Sequence, residues 1–422
     1  LLVMSVMGIA LATAWSAWRY RLNPIVIALL AWTPAVVLTT IPYEFVLPLY
    51  DHLNKGVGLP AVVAMLMGFA GFSMGVLVTH AFYGHKPWDM IAARHSAITA
   101  TDDRRLLQLF LVGLAIFSYA FSRSGLAFQL GLEPDEIFKS RLAFHLGPIS
   151  SAVLFLDVTA IVFFAKLMEN RRMVYVLPML IAIAGYMITL QKSRVMFMGL
   201  SAVFLLLLYP AQARELVFGT MTRRLVTGLA VLTVIAGLFI MNAMRGIGLI
   251  PNTTFESPLV EQTFIYSGAT AVLNLSAAVE GHVPSDAPTY GMVLTRPVLT
   301  HFIANRELLN PTKYFEGLNA ATYLIYPWGD FRWFGFLLVP FLTGMLATIY
   351  LRAALRKTVM GLTLGSLAFT AAVFSVNTDV IFDQTTLVVM LMAFIAHSYA
   401  KVRPKRRKAK RAAPVNAEPS TS

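Results

Sequence analysis

Apolar residues along this chain collect into runs long enough to cross a bilayer, separated by short polar stretches. Roughly twenty apolar residues carry a helix through the hydrocarbon, where only a helix or a closed barrel satisfies its own backbone groups. By that measure about eleven spans are predicted. They are Leu1 to Trp18, Pro24 to Thr40, Pro60 to Tyr83, Leu106 to Ser122, Ser150 to Leu167, Met173 to Leu190, Val195 to Tyr209, Leu225 to Met244, Trp333 to Leu351, Val359 to Val376, and Val380 to Ala400. The last pair could instead form one re-entrant hairpin. The expected fold class is all-α: a polytopic transmembrane helical bundle over residues 1–400, followed by a basic, disordered tail at 401–422.

The longest interval without a membrane-length apolar run lies at 245–331, and it is expected to form a large, partly helical loop outside the membrane. Ser257 followed by Pro258 reads as a helix start, with Glu261 in its first turn and Gly281 as its stop. Between them Phe264, Gly268, Ala271, Leu275 and Val279 share one face, and Thr263, Ser267, Thr270 and Asn274 share another. Such a helix is expected to lie on the membrane or against the bundle rather than to cross it. A second short helix is expected near Pro297, carrying His301. Two further extended loops, Ile41 to Leu59 and Arg123 to Ile149, fall on the same side. There is no internal repeat and no second soluble domain.

Composition agrees with a membrane protein, since 57% apolar and 13% charged residues in 422 are too apolar for a water-soluble globule. A net charge of +13 would point a soluble protein toward nucleic acid, but here its distribution decides. About two thirds of the Lys and Arg residues fall in one alternating set of loops and in the tail from Lys401 to Arg411, which the positive-inside rule places in the cytosol. The tail is read as a topology anchor touching anionic lipid, and no nucleic-acid partner is expected. With no cysteine, disulfides, thiolate zinc sites and cysteine nucleophiles are excluded. Leu1 to Trp18 lacks the basic leader and small-residue cleavage site of a signal peptide. It is counted as a span, and the chain is expected to begin short of its natural start.

Candidate chemistry gathers on the noncytosolic side. Lys192-Ser193-Arg194 opens a span, where free N–H groups and the positive end of the helix dipole make two cations locally unfavourable. Either these cations reach for lipid phosphates, or a bound anion reverses the penalty. Arg123 and Arg245 each follow the C-terminal end of a span, where a cation complements the dipole. Arg245 also leads into the long loop, and Gly246 would let backbone approach a ligand. Arg296 precedes Pro297 at a helix start, and His301 about a turn further on is either a surface residue or a base near neutral pH. Glu280, His282 and Asp330 are alternative bases. Asp157, in mid-span, is protonated, hydrogen-bonded or functional, and with no visible partner a structural role is preferred. The sequence contains no Asp-x-Asp pair, no phosphate-cradling Gly-x-x-x-x-Gly-Lys and no His-Glu-x-x-His. If the chain is an enzyme, arginine rather than metal is therefore expected to neutralise the leaving group, with no metal site and no cofactor.

The layout resembles the Wzy-type polymerases of O-antigen and other oligosaccharide repeat units, multispanning proteins of the bacterial inner membrane. The likeness covers most of the span arrangement, with one dominant outer loop before the last three spans. In detail it rests on Lys192-Ser193-Arg194, on Arg245, and on Asn319-Ala320-Ala321-Thr322-Tyr323 through Pro327-Trp328-Gly329-Asp330-Phe331. Family members often carry Asn-Thr-Tyr and Asp-Phe-Gly there, whereas this chain reads Asn-Ala-Ala-Thr-Tyr and Asp330-Phe331-Arg332. Arg306 to Gly317 has the spacing of an arginine, ten residues and a glycine described in such outer loops. The resemblance implies a GT-C-like fold and a glycosyltransferase that moves a growing glycan from undecaprenyl pyrophosphate onto an incoming lipid-linked repeat unit. His301, Arg194 and Arg245 would be the catalytic groups. Lys192, Arg296, Arg306, Glu280, Asp330 and Tyr323 would bind substrate. Implied partners are the undecaprenyl-pyrophosphate-linked glycans, the lipid bilayer and a Wzz-type chain-length regulator. An O-antigen ligase using the same donor, a transporter or flippase, and a noncatalytic assembly protein are the competing expectations.

Overall fold

The computed structural model describes residues 23–40, 51, 54–83, 101–124, 147–189, 191–209, 267–282, 288, 290, 323–375 and 384–401. Among them the regular structure is helical, apart from an isolated bridge between Thr101 and Lys401. The helices are α1 (Pro24–Leu38), α2 (Leu59–Tyr83), α3 (Asp103–Ser124), α4 (Phe155–Asn170), α5 (Leu177–Ile188), α6 (Lys192–Leu208), α7 (Ser267–Val279), α8 (Ile325–Phe331), α9 (Gly335–Ala354), α10 (Val359–Phe374) and α11 (Gln384–Ala400). Short 3-10 turns at Gly147–Leu154, Met173–Val176 and Arg332–Phe334 lead into α4, α5 and α9.

Every predicted span that falls among the described residues coincides with a helix, and several boundaries have local causes. Pro24 presets the first turn of α1 while the Asn23 side chain accepts the Ile25 N–H at 3.0 Å. Thr358 caps α10 by accepting the Gly361 N–H at 3.0 Å. Gly281 follows α7 with φ +76, the left-handed conformation that lets glycine end a helix, as its place in the sequence predicts. The predicted spans Leu1 to Trp18 and Leu225 to Met244 lie outside the described residues. Among the described residues four segments are long and apolar enough to cross a membrane by themselves: Leu59–Tyr83, Asp103–Arg123, Ser151–Asn170 and Ile325–Ala354. The chain is thus a helical protein built for a bilayer.

One expectation for the long loop is corrected. Of its predicted helix the described part is Ser267–Val279, where Thr270 and Asn274 are as buried as Ala271 and Leu275. The helix sits against α1, α2 and α8, inside the bundle. The span expected to start at Trp333 instead continues a helical segment beginning at Ile325, broken by the turn at Arg332. Residues 325–331 therefore belong to the bundle rather than to a loop.

The packing has a centre. Helix α4 is buried from Phe155 to Met168 and touches α3, α5, α6, α10 and α11. A helix that is apolar on all sides has to be enclosed by other helices or by lipid, and here helices enclose it. The second tight joint is between α2 and α9. A side chain at Gly75 would strike the Phe341 carbonyl, and one at Gly344 would strike the Phe72 carbonyl, so the two backbones meet at this seam. Outward faces carry Leu66, Met74 and Leu77 on α2, Leu107, Leu111 and Val112 on α3, and Leu391, Phe394 and Ile395 on α11. Apolar cover of that extent is what acyl chains, not water, would bathe.

Polar contacts sort to the two ends of the bundle. At one end Lys166 bonds the Asp103 carboxylate and donates to the Thr101 carbonyl at 3.0 Å, while the Tyr175 hydroxyl donates to Asp103 at 2.6 Å. The same end holds the Tyr209 hydroxyl donating to Glu169 at 3.0 Å, Lys357 over the Tyr209 ring at 4.6 Å and Arg352 over Tyr83 at 4.9 Å. Arg105 donates to the Tyr399 carbonyl at 2.9 Å. Burial pushes the Lys357 ammonium below the ordinary lysine range, and Glu169 nearby opposes that shift. Arg105, Lys166, Arg352, Lys357 and Lys401, all assigned by sequence to one side, thus share one end. Replacing Gly75 or Gly344 by Val is expected to push α2 and α9 apart and to lower stability by about 1–3 kcal/mol. Thermal unfolding of the purified chain in detergent measures this, and unchanged melting would refute the backbone contact.

Candidate functional site

Among the described residues, an acid, a phenol and a guanidinium meet where α4, α5 and α6 converge. A three-residue connection joins α5 to α6. Its geometry is fixed by Thr189 N–H donating to the Gly185 carbonyl at 3.1 Å and Gln191 N–H donating to the Tyr186 carbonyl at 2.9 Å. That tight return places Tyr186, near the end of α5, and Arg194, in the first turn of α6, against one side of α4. There they meet Asp157.

Asp157 has no exposed surface, Tyr186 has 1%, and the Arg194 side chain keeps 19%. The Tyr186 hydroxyl donates to Asp157 Oδ1 at 2.6 Å, and Arg194 Nη1 donates to Oδ2 at 2.8 Å. Each carboxylate oxygen thereby has a donor, one of them charged. An ionised carboxylate in so dry a place is tolerable only with such partners. The Tyr186 ring is held edge-on to Phe117 of α3, with centroids 6.0 Å apart, so a fourth helix fixes the phenol. A guanidinium carries five donors in a rigid fork, and the one spent on Asp157 sets the direction of the rest. With its partial exposure, Arg194 is anchored on one side and accessible on another.

Sequence reasoning singled out Arg194 but left Asp157 without a partner, and the structure supplies that partner. The signal was present: an acid inside an apolar run, and a cation at the start of a helix two spans on. What the sequence lacks is the pairing itself, which depends on how α4 sits beside α6.

The other predicted residues fall elsewhere. Glu280 ends α7 and reaches the start of α2, accepting the Gly58 N–H at 2.8 Å and the Ser276 hydroxyl, with His282 Nε2 at 3.3 Å. A carboxylate there complements the positive end of the α2 dipole, so Glu280 is engaged in tying two helices together. Tyr323 is buried, its N–H donating to the Ser375 carbonyl at 3.0 Å and its ring edge-on to Trp32 at 6.2 Å. With Trp32, Ser375 and Thr343 it lines a cavity of about 20 Å3, room for little more than a water. Asp330 has no exposed surface, and its carbonyl accepts the Tyr290 N–H at 3.1 Å. Its carboxyl is thus withdrawn into the bundle rather than presented on an open loop. Glu280, Tyr323 and Asp330 gather around α1, α2, α7 and α8, whereas Arg194 belongs with α4 and α5. Lys192 is the first residue of α6, with its side chain outside the described ones. His301, Arg245, Arg296 and Arg306 also lie outside the described residues. Arg123 ends α3 with its guanidinium 6.0 Å from the Tyr119 ring, as a cation complementing the helix terminus would sit.

Comparisons of the chain with protein-family models, with curated proteins and with solved structures find no match. Removing Asp157 as D157A is expected to leave the Arg194 charge uncompensated and to cost about 3–5 kcal/mol. The double variant D157L/R194M is expected to recover most of that loss, because a matched apolar pair replaces a buried ion pair at little cost. Thermal unfolding of the two variants side by side measures the difference, and equal losses would mean that the pair is not coupled.

Proposed function

We propose that this protein is a membrane glycosyltransferase that polymerises lipid-linked oligosaccharide repeat units at the noncytosolic face of the bacterial inner membrane. The observation that carries this reading is Arg194. It stands in the first turn of a membrane helix, fixed from behind by Asp157 and still partly exposed. It belongs to the side opposite the shared end of Arg105, Lys166, Arg352, Lys357 and Lys401, which we assign to the cytosol together with the C-terminus. A diphosphate whose lipid tail remains in the bilayer would meet such a guanidinium at the membrane boundary. The resemblance in span layout and in the residues from Asn319 to Phe331 supports the same reading.

In the proposed reaction a hydroxyl oxygen of the incoming repeat unit attacks the anomeric carbon of the growing glycan. The bond from that carbon to the diphosphate oxygen breaks, and its electron pair leaves with undecaprenyl pyrophosphate. The hydroxyl proton passes to a base, for which His301 is our candidate. Arg194, Arg245 and Arg296 stabilise the charge gathering on the departing diphosphate. Lys192 and Arg306 add to the positive field, and a Wzz-type partner would set chain length.

One observation favours a second reading. Ionisable groups paired inside a bundle also mark transport pathways, and Asp157 with Arg194 is such a pair. Reconstitution separates the two. The full chain in vesicles, given a defined lipid-linked repeat unit without added metal, is expected to yield a ladder of longer glycans. Replacing Arg194 by Ala is expected to lower the yield about 100-fold per folded protein, the usual loss on removing one donor to a leaving oxyanion. Movement of the repeat unit across the vesicle membrane without lengthening would instead establish transport.

A further inference from the structure

Arg194 is not alone at the start of α6. The positive end of the helix dipole adds to its charge. A polyanion bound there by an uncompensated guanidinium and the dipole together would be slow to leave, which suits storage better than turnover. Asp157 changes that balance. Its carboxylate lies 2.8 Å from Arg194 Nη1, is sealed from solvent, and is held from the other side by the Tyr186 hydroxyl at 2.6 Å. The Tyr186 ring is in turn braced by Phe117. Nothing in this arrangement lets the carboxylate swing away and leave the guanidinium to a ligand alone.

We propose that Asp157, with Tyr186 behind it, is a positioning residue that orients Arg194 toward a lipid diphosphate and offsets part of its charge so that the diphosphate is released after transfer. This rests on the function proposed above. The bond from Nη1 to Oδ2 anchors one arm of the guanidinium fork, and the Tyr186 hydroxyl on Oδ1 holds the carboxylate still, so the donors left over point in a set direction rather than sweeping a cone. The counter-charge acts on ground-state binding, whereas the fixed direction acts on the transition state. Removing the carboxylate therefore shifts the two in opposite senses, which a purely structural ion pair would not do.

The test uses the full chain with geranyl diphosphate as the binding probe and a defined lipid-linked repeat unit as the substrate. D157N retains an acceptor of the same shape but no charge. Per folded protein, it is expected to bind geranyl diphosphate about tenfold more tightly, the order expected for removing one nearby charge in a partly screened site. It is also expected to lower kcat about 100-fold without raising KM, as misorientation of a catalytic group does. Y186F keeps the ring against Phe117 and removes only the hydroxyl. It is expected to move both quantities the same way by about threefold, and it decides the matter if D157N does not fold. D157E is expected to restore release better than D157N. Unchanged or weaker diphosphate binding in D157N and Y186F, or a parallel loss of affinity and turnover, overturns the proposal. If R194A is defective while D157N and Y186F behave as wild type, only the role given to Asp157 falls. If R194A itself binds geranyl diphosphate and lengthens glycans normally, the functional reading falls with it.

Discussion

A carboxylate sealed among membrane helices has to be met by a donor on each oxygen, and the demand is the more severe the drier the site. Asp157 meets it with a phenol from α5 and a guanidinium from α6. Because α4 is enclosed by α3, α5, α6, α10 and α11, the place where α6 is tied to α4 also constrains the helices around them. Apolar packing between membrane helices is tolerant of small slides, since lipid and leucine are alike in polarity. A buried ion pair is not tolerant: it has one register in which both partners are satisfied. The pair thus supplies uniqueness to an interface that dispersion forces alone would leave loose.

The helices themselves were legible from the run lengths of apolar residues, because a bilayer of fixed thickness translates length into position. Asn23-Pro24, Thr358 and Gly281 marked boundaries through local backbone chemistry, and that chemistry needs no knowledge of the fold. What could not be read was anything decided by a distant neighbour. The segment Ser267–Val279 carries Thr270 and Asn274 on one side and looks amphipathic, yet α1, α2 and α8 surround it. Asp330 looked like a loop acid because the apolar run starts only at Trp333, whereas helix already begins at Ile325. Of the candidate site, Arg194 stood out through its place at a helix start, while the roles of Asp157, Tyr186 and Glu280 depend on contacts 29 to 222 residues apart in sequence.

The ends of the bundle also differ in how their charges are used. At the end of Lys166 and Lys357, cations lie on aromatic rings or on acids of neighbouring helices, so the charge is spent on joining helices. Thr101 and Lys401 bridge there, and Asp102 N–H donates to the Ala400 carbonyl at 2.9 Å, binding the start of α3 to the end of α11. At the other end the Glu280 carboxylate fastens α7 to α2, and the Asp157 carboxylate holds Arg194, whose side chain keeps 19% of its surface exposed. Among the described residues the two ends thus use their charges differently, one to join helices through cations and the other to join them through carboxylates.

Where α2 and α9 meet through Gly75 and Gly344, backbone touches backbone. A gap of that width admits no methylene chain, so the seam is shut to lipid along its contact. Any acyl chain that enters the bundle sideways must therefore slip between other helices, and two residues that have no side chains close this flank.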